Sequence, residues 1–423
     1  MSDERIEVTL YRLALLCRVG FEPDLIEELR AWFAARGASA QIDSTQEAVV
    51  RVDAASLVPR LTELIFARDI LLVHAELSGL NVKDRVTPIS HALQQMGPYT
   101  QLSLLTPDSE ATKPLAPLVS ALEARLRSTV SAADAAGVQA AVWLLSGTHA
   151  LVGQAPAGGG AAFLGGIPRL KFPRDAPSRS TLKLDEAFQV LLSDAERRAL
   201  LRANGSAVDL GAAPGGWTYQ LVMRQMRVTA IDNARMDARL MESGRVTHLR
   251  EDGFRYRPNK PVDWLVCDMV EQPGRVAELV ARWFNSGWCS AAIFNLKLPM
   301  KRRFDAWMSA KAVLDPLLKK AYVVRARQLY HDREEITVAV LPSALGARRG
   351  ADQQIPAAAK LAARPKNISL ARPAPRSAPR AEDKSTARKK AAPKAKAAAT
   401  VGRTTRGDQR PAARRKAVPG GRR

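Results

Sequence analysis

Cysteine is scarce in this chain of 423 residues. Only Cys17, Cys267 and Cys289 are present, an odd number without a C-x-x-C pair, which argues against a disulfide framework and against a structural zinc site. The five histidines show no H-E-x-x-H spacing. We therefore expect no metal centre.

Long apolar segments are also missing. No run approaches the roughly 18 residues that a membrane-spanning helix needs. The chain begins with MSDERIE, whose acidic residues do not match the basic start and apolar core of a signal peptide. Aromatic residues make up 5% of the chain and hydrophobic residues 46%, which is normal for a soluble globular protein. We expect a cytoplasmic protein with no membrane partner.

Positive charge is abundant but unevenly distributed. The formal net charge is +22. Residues 346–423 contain 22 lysines and arginines against four acidic residues, a net +18, which leaves +4 for residues 1–345. This tail is rich in alanine, proline and glycine and has almost no large apolar residue, so it is predicted to be disordered. Its charge favours a polyanionic partner such as nucleic acid, and a tail that only improves solubility is the alternative.

The chain before this tail is predicted to be α/β. Residues 1–165 alternate strands and helices, including a helix over 23–37 and a segment, 56–77, predicted as a helix running into a strand. The passage at 154–177 is rich in glycine, alanine and proline and marks a domain boundary. Strand-like runs and helices then alternate to residue 341, which predicts a mostly parallel, doubly wound sheet with one antiparallel strand at its edge.

A glycine-rich turn follows the first strand of this second region, in VDLGAAPGGWTYQ at 208–220. Its spacing is G-x-x-x-G-G, which differs from the G-x-G-x-x-G of a pyrophosphate-binding turn. Ligands of doubly wound sheets bind beyond the carboxyl ends of the strands. We therefore expect the turn to contact a cofactor that has no phosphate.

Two acids extend this pattern along the same sheet edge. Asp232 ends the second strand, in VTAID, where it can accept both ribose hydroxyls of a nucleoside, and Asp252, in LREDGF, follows the next strand and can bind an adenine amino group. Any one of these features is commonly only a turn glycine or a helix-capping aspartate. Together and in order they fit S-adenosylmethionine better than NAD, and they disfavour an NAD-dependent oxidoreductase.

Four further charged residues are predicted to lie on the rim of the sheet. They are Lys183 in SRSTLKLDEAF, Asp268 after VDWLVC, Lys297 after IFNL and Glu335 in HDREEITVAV. Methyl transfer to a hydroxyl needs a group that takes up its proton, and a lysine can do so only if its pKa falls well below about 10.4. With two lysines between two carboxylates, one ammonium can remain charged and help to keep the other lysine neutral.

These motifs, with CDMVEQP and FNLKLPMK, resemble the RlmM family of bacterial 23S rRNA cytidine 2′-O-ribose methyltransferases, relatives of the FtsJ/RrmJ enzymes. The passage GIPRLKFPRDAPSRSTLKL is especially typical of that family. The resemblance spans nearly all of residues 8–342. It implies a ferredoxin-like domain at 1–70, a THUMP-like RNA-binding domain at 71–165 and a Rossmann-like methyltransferase domain at 166–345. The basic tail predicted to be disordered, at 346–423, follows these three domains.

The resemblance also implies the site residues and the substrate. The catalytic tetrad carries over as Lys183, Asp268, Lys297 and Glu335, with Lys297 as the general base. Contacts to S-adenosyl-L-methionine carry over to Ser180, Ala213, Pro214, Gly215, Gly216, Asp232, Asp252 and Asp268. The implied partner of this monomer is 23S rRNA or a large-subunit assembly intermediate. A non-catalytic rRNA-binding or ribosome-assembly protein on a methyltransferase scaffold is the alternative, although the complete tetrad argues against it. The long basic tail departs from the family pattern.

Overall fold

The computed structural model describes residues 11–129 and 138–343. In these residues the chain builds two seven-stranded sheets with helices packed against them, which confirms the predicted α/β fold. None of the helices described is both long enough and apolar enough to cross a bilayer. The predicted tail at 346–423 lies outside the described residues.

The first sheet has the strand order β2-β3-β1-β4-β7-β6-β5. Its strands are β1 (Tyr11–Leu16), β2 (Gln41–Gln46), β3 (Val49–Ala55), β4 (Asp69–Ser78), β5 (Tyr99–Leu105), β6 (Val138–Ser146) and β7 (His149–Gln154). The accompanying helices are α1 (Glu22–Ala34), α2 (Val86–Met96) and α3 (Ala116–Thr129). All neighbouring strands are antiparallel except β5 and β6. The boundary placed at residue 70 falls inside β4, which pairs with β1 on one side and β7 on the other, and the division into two domains there stays a prediction.

The predicted helix at the start of 56–77 is wrong. Only a 3₁₀ turn, Leu61–Glu63, forms before β4. Two side chains bind the backbone of this segment. The Glu28 carboxylate accepts hydrogen bonds from the amides of Ile65 and Phe66 at 2.6 and 3.0 Å, and Arg327 Nη1 donates to three carbonyls, among them that of Ala67 at 2.8 Å. Contacts from distant parts of the chain thus replace the hydrogen bonds that a helix would make internally.

The second sheet has the strand order β10-β9-β8-β11-β12-β14-β13. Its strands are β8 (Ser206–Leu210), β9 (Arg227–Ile231), β10 (Val246–Leu249), β11 (Val262–Cys267), β12 (Cys289–Lys297), β13 (Tyr322–Arg327) and β14 (Glu335–Pro342). The helices are α4 (Thr181–Leu191), α5 (Asp194–Leu200), α6 (Gly216–Met223), α7 (Ala238–Glu242), α8 (Pro273–Asn285) and α9 (Arg303–Leu318). Two further 3₁₀ turns are Lys113–Leu115 and Leu164–Gly166.

The antiparallel strand of the second sheet is β14, and it does not lie at the edge as expected. It runs antiparallel to both β12 and β13, and β13 is the edge strand. Burial explains this order, because β14 is buried along almost its whole length, whereas every residue of β13 is only half-buried. A strand that is buried on both faces is stabilised by neighbours on both sides and by helices on both faces.

Helices cover the central strands because their apolar residues recur on one face. In α8 the buried side chains include Val276, Val280, Trp283 and Phe284, which follow one another at helical spacing. Trp264, Leu265, Val266 and Cys267 of β11 are completely buried. The core therefore fixes the carboxyl ends of β8, β11 and β12, where the predicted site residues begin.

Candidate active site

The candidate site lies where the strand order of the second sheet reverses. From β8 the chain continues to β9 and β10 on one side, and it then returns to β11 and β12 on the other. Leu210 and Cys267, the last residues of β8 and β11, are paired in register. The glycine-rich turn and Asp268 follow these two residues directly, so both lie at the switch point at which doubly wound sheets bind ligands.

The glycine-rich turn has a conformation that needs its glycines. Gly211 and Gly215 have φ angles of 75° and 117°, and the Ala213–Pro214 peptide bond is cis. A β-carbon on Gly216 would lie 2.1 Å from Ser180 Oγ and 2.4 Å from Ser178 Oγ. The turn therefore packs directly against the residues before α4, and α6 begins at its end.

The predicted cofactor residues follow successive strands of this edge. Asp232, after β9, accepts hydrogen bonds from the amides of Ala213 and Ala234 at 3.0 and 2.8 Å. The structure thus brings Asp232 into contact with the glycine-rich turn, which in turn contacts Ser180. Asp252 lies beyond β10, and its carboxylate accepts a hydrogen bond within its own turn, from the amide of Phe254 at 2.8 Å.

The four residues of the predicted tetrad lie together. Lys297 is the last residue of β12 and is paired in register with Glu335, the first residue of β14. Lys297 Nζ lies 2.7 Å from Asp268 Oδ1 and 3.7 Å from Glu335 Oε1. Lys183, on α4, forms an ion pair with Glu335 and lies 3.5 Å from Asp268 Oδ2. Each lysine therefore contacts both carboxylates.

The tetrad is partly shielded from solvent yet accessible. The side chains of Lys183 and Lys297 are 15% and 22% exposed, and that of Glu335 is 8% exposed. Burial lowers the pKa of Lys183, but the charges of Asp268 and Glu335 outweigh this effect and the net direction is upward. Lys183 is therefore an ammonium ion at neutral pH.

Sequence reasoning missed Asp209, which precedes the glycine-rich turn. This residue is completely buried, and its carboxylate accepts a hydrogen bond from Thr218 Oγ1 at 2.6 Å. Its other oxygen, Oδ1, has no hydrogen-bond partner within the part of the chain that the structure describes. Burial raises the pKa of Asp209 to about 7. The sequence did contain a signal for this residue, namely an acidic residue within an otherwise largely apolar strand.

The chemistry of this edge fits a cationic cofactor with a nucleoside. Asp232, Asp252 and Asp268 follow neighbouring strands, whereas residues 209–216 contain no lysine or arginine. These carboxylates attract a sulfonium and an ammonium group, and the glycine-rich turn itself offers no side-chain cation to a pyrophosphate. S-adenosylmethionine matches these carboxylates and this turn better than NAD does. Among residues 11–129 and 138–343, no cluster of three potential metal ligands occurs.

Comparisons with known proteins point to a methyltransferase family. Residues 176–313 match the model of the FtsJ-like methyltransferase family. Ribosomal RNA large subunit methyltransferase M of Xanthomonas oryzae pv. oryzae (strain PXO99A) is 47% identical over 339 residues, which cover 77% of this chain and 98% of that protein. The protein of the same name from Xanthomonas campestris pv. campestris (strain B100) is 46% identical with the same coverage.

A solved structure, TrmN from Thermus thermophilus, is 16% identical and covers 78% of this chain and 99% of its own, but its TM-score of 0.28 is too low to support an inference. The sequence relatives are decisive, because nearly their entire length aligns at almost half identity. The chain therefore belongs to the family of ribosomal RNA large subunit methyltransferase M.

Proposed function

We propose that this large-subunit rRNA methyltransferase moves a methyl group from S-adenosylmethionine to the ribose 2′-oxygen of a cytidine in 23S rRNA, with Lys297 as the general base. The observation that carries the proposal is the tetrad, in which Lys183, Asp268, Lys297 and Glu335 contact one another at the switch point of the sheet. A site with two lysines between two carboxylates is suited to taking a proton from a hydroxyl.

The cofactor would supply an electrophilic methyl group on a sulfonium, and the methyl–sulfur bond would break to leave a neutral thioether. For the 2′-oxygen to form a bond to that carbon, its proton must leave, and Lys297 Nζ accepts it. A lysine accepts a proton only in its neutral form. Lys183, an ammonium ion that contacts the same two carboxylates as Lys297, supplies the second cation of the site. Asp268 and Glu335 hold both nitrogens in place.

The residues expected to hold the cofactor are the ones at the edge of the sheet. Asp232 would accept the ribose hydroxyls and Asp252 the adenine amino group. The turn at 213–216, with Ser180 and Asp268, would contact the methionine end. The close approach of the turn to the residues before α4 supports this assignment, since it leaves backbone rather than bulky side chains beside Ser180.

The remaining parts of the chain would bind the RNA. The ferredoxin-like domain at 1–70 and the THUMP-like domain at 71–165 would recognise structured RNA by shape, and the basic tail at 346–423 would add affinity for phosphates. The substrate is 23S rRNA or a large-subunit assembly intermediate. We propose that the enzyme is a cytoplasmic monomer.

Methylation of RNA from cells that lack this enzyme tests the proposal. The full-length protein is incubated with labelled S-adenosylmethionine and unmodified 23S rRNA, and the modified nucleoside is identified by mass spectrometry after complete digestion. The expected product is 2′-O-methylcytidine. A methyl group on a base, or on the ribose of another nucleoside, would overturn the assignment. If naked rRNA is not methylated, large-subunit assembly intermediates from the same cells distinguish a wrong substrate form from a wrong reaction.

A further inference from the structure

A row of buried polar side chains lies behind the tetrad and begins at Asp268. Asn295 Nδ2 donates a hydrogen bond to Asp268 Oδ1 at 2.9 Å. Asn295 Oδ1 lies 2.8 Å from Thr337 Oγ1, which is 2.9 Å from Asp332 Oδ2. Asn295 and Thr337 are completely buried and Asp332 is 1% exposed. Two completely buried side chains, Asn295 and Thr337, thus connect a third acid, Asp332, to the two acids of the tetrad.

The number of available protons decides which side chain donates and which accepts in each hydrogen bond of this row. The ionised carboxylate of Asp268 only accepts hydrogen bonds, so the amide nitrogen of Asn295 must face it. The amide oxygen of Asn295 then faces Thr337 and can only accept, so the hydroxyl proton of Thr337 is used in that bond. A hydroxyl has one proton. The contact between Thr337 and Asp332 is therefore a hydrogen bond only if Asp332 provides the proton.

The surroundings of Asp332 favour the protonated form. The amide of Leu329 donates to Asp332 Oδ2 at 3.0 Å, which leaves Oδ1, 3.2 Å from Thr337 Oγ1, as the oxygen that carries the proton. Burial raises the pKa of Asp332 well above its ordinary value, and the negative charges of Glu335 and Glu186 act in the same direction. Lys183, on α4, opposes them without reversing the direction.

We infer that Asp332 is a neutral positioning residue, which acts through Thr337 and Asn295 to hold Asp268 against Lys297. The inference rests on the proposed function for the role of the tetrad, but not for the protonation of Asp332. If Asp332 were ionised, the Thr337 proton would turn toward it and Asn295 Oδ1 would lose its donor. The amide of Asn295 would then be held only by its hydrogen bond to Asp268, and the contact between Asp268 and Lys297 would loosen.

Infrared spectroscopy tests the protonation without any reaction. The difference spectrum of the full-length wild type minus Asp332→Asn, recorded near pH 7 without cofactor or RNA, is expected to contain the carbonyl band of one protonated carboxyl group. Other buried acids, such as Asp209, cancel in this difference. If only carboxylate bands differ between the two proteins, Asp332 is ionised and the inference is wrong.

Kinetics test the positioning role. Asp332→Asn keeps a neutral donor beside Thr337, so kcat is expected to stay within about threefold of the wild type, with the same pH profile. Thr337→Val removes the hydroxyl at nearly constant volume and should lower kcat about tenfold, with little change in KM for the cofactor. Thr337→Ser should restore most of the rate. Thr247→Val, at an exposed position of β10, is the matched control.

Two kinetic outcomes would overturn the inference. One is an Asp332→Asn enzyme as slow as Thr337→Val, since an ionised Asp332 would then be needed. The other is a Thr337→Val enzyme as fast as the Thr247→Val control. Absence of ribose methylation by the wild type would instead contradict the proposed function, and the infrared comparison would still decide whether Asp332 is neutral.

Discussion

Arg303 Nη1 lies 2.8 Å from Asp24 Oδ2, although 279 positions separate the two residues in the chain. The backbone amide of Arg303 also donates to Asp24, at 3.1 Å. The same guanidinium binds Glu334 with a distance of 2.7 Å between Nη2 and Oε2. One side chain of α9 thus joins α1, which packs on the first sheet, to the residue that precedes Glu335 of the tetrad.

Loss of this guanidinium should destabilise the protein. The side chains of Arg303 and Asp24 are 12% and 6% exposed, so Arg303→Met leaves a buried carboxylate without its cation. Removing one partner of such a pair costs about 3 kcal/mol of unfolding free energy. Urea denaturation measures the change. Arg302→Met is the control, because Arg302 is largely exposed, and a loss of less than about 0.5 kcal/mol is expected there. Equal effects of the two substitutions would contradict the structural role of Arg303.

The glycine-rich turn should not tolerate a side chain at Gly216. In Gly216→Ala the new β-carbon would lie 2.1 Å from Ser180 Oγ and 3.0 Å from the amide of Thr181, where α4 begins. The turn and the start of α4 must then move apart, and we expect affinity for S-adenosylmethionine to fall at least about tenfold. Calorimetry of Gly216→Ala against Gly274→Ala measures this, because a β-carbon on Gly274 would meet open space. Unchanged affinity in Gly216→Ala would exclude the turn from the cofactor site.

Asp209 should make stability depend on pH. Burial raises its pKa from 3.8 to about 7 in the folded protein. Between these values the folded state keeps a proton that the unfolded chain has lost. The stability that this proton provides is therefore fully present below about pH 4, and it is lost as pH rises through about 7. From pH 5 to pH 8, the wild type should lose on the order of 2 kcal/mol relative to Asp209→Asn. Urea unfolding of both proteins at the two pH values gives this difference, and parallel pH profiles would show that Asp209 ionises normally.

The basic tail should govern the salt dependence of RNA binding. Residues 346–423 carry a net charge of +18. Each phosphate that the tail neutralises releases a counterion, so log Kd should change less steeply with log salt concentration when the tail is deleted. Filter binding of 23S rRNA to the full chain and to residues 1–345 measures both slopes. An unchanged slope would mean that the tail makes no phosphate contacts.

The second sheet and the tetrad were predictable because their signals are local. The strands β8, β11 and β12 are short apolar runs, and each ends at a residue with distinctive chemistry: the glycine-rich turn, Asp268 and Lys297. In a parallel sheet such strand ends meet at one edge. The pattern along the chain was therefore enough to predict that these residues lie together.

The features that the sequence did not reveal depend on distant partners. The segment before β4 is held by Glu28 and Arg327, which lie far away in the chain. Strand β2, with the polar sequence QIDSTQ, becomes a strand through pairing with β3. The hydrogen bond between Asn295 and Thr337 spans 42 positions and follows from the register of β12 and β14. Neither composition nor periodicity carries this information.

The most direct test of the central claim compares Lys297→Ala with the wild type in two measurements on the full-length protein. Calorimetry gives the Kd for S-adenosylmethionine, and a single-turnover assay gives the rate of methyl transfer to unmodified 23S rRNA. If Lys297 accepts the 2′-hydroxyl proton, Kd should stay within about threefold while the rate falls by roughly 10² to 10⁴. Lys301→Ala, at an exposed lysine four positions further along, should behave like the wild type. A Lys297→Ala enzyme that transfers methyl as fast as Lys301→Ala, or that fails to bind the cofactor, would contradict the account.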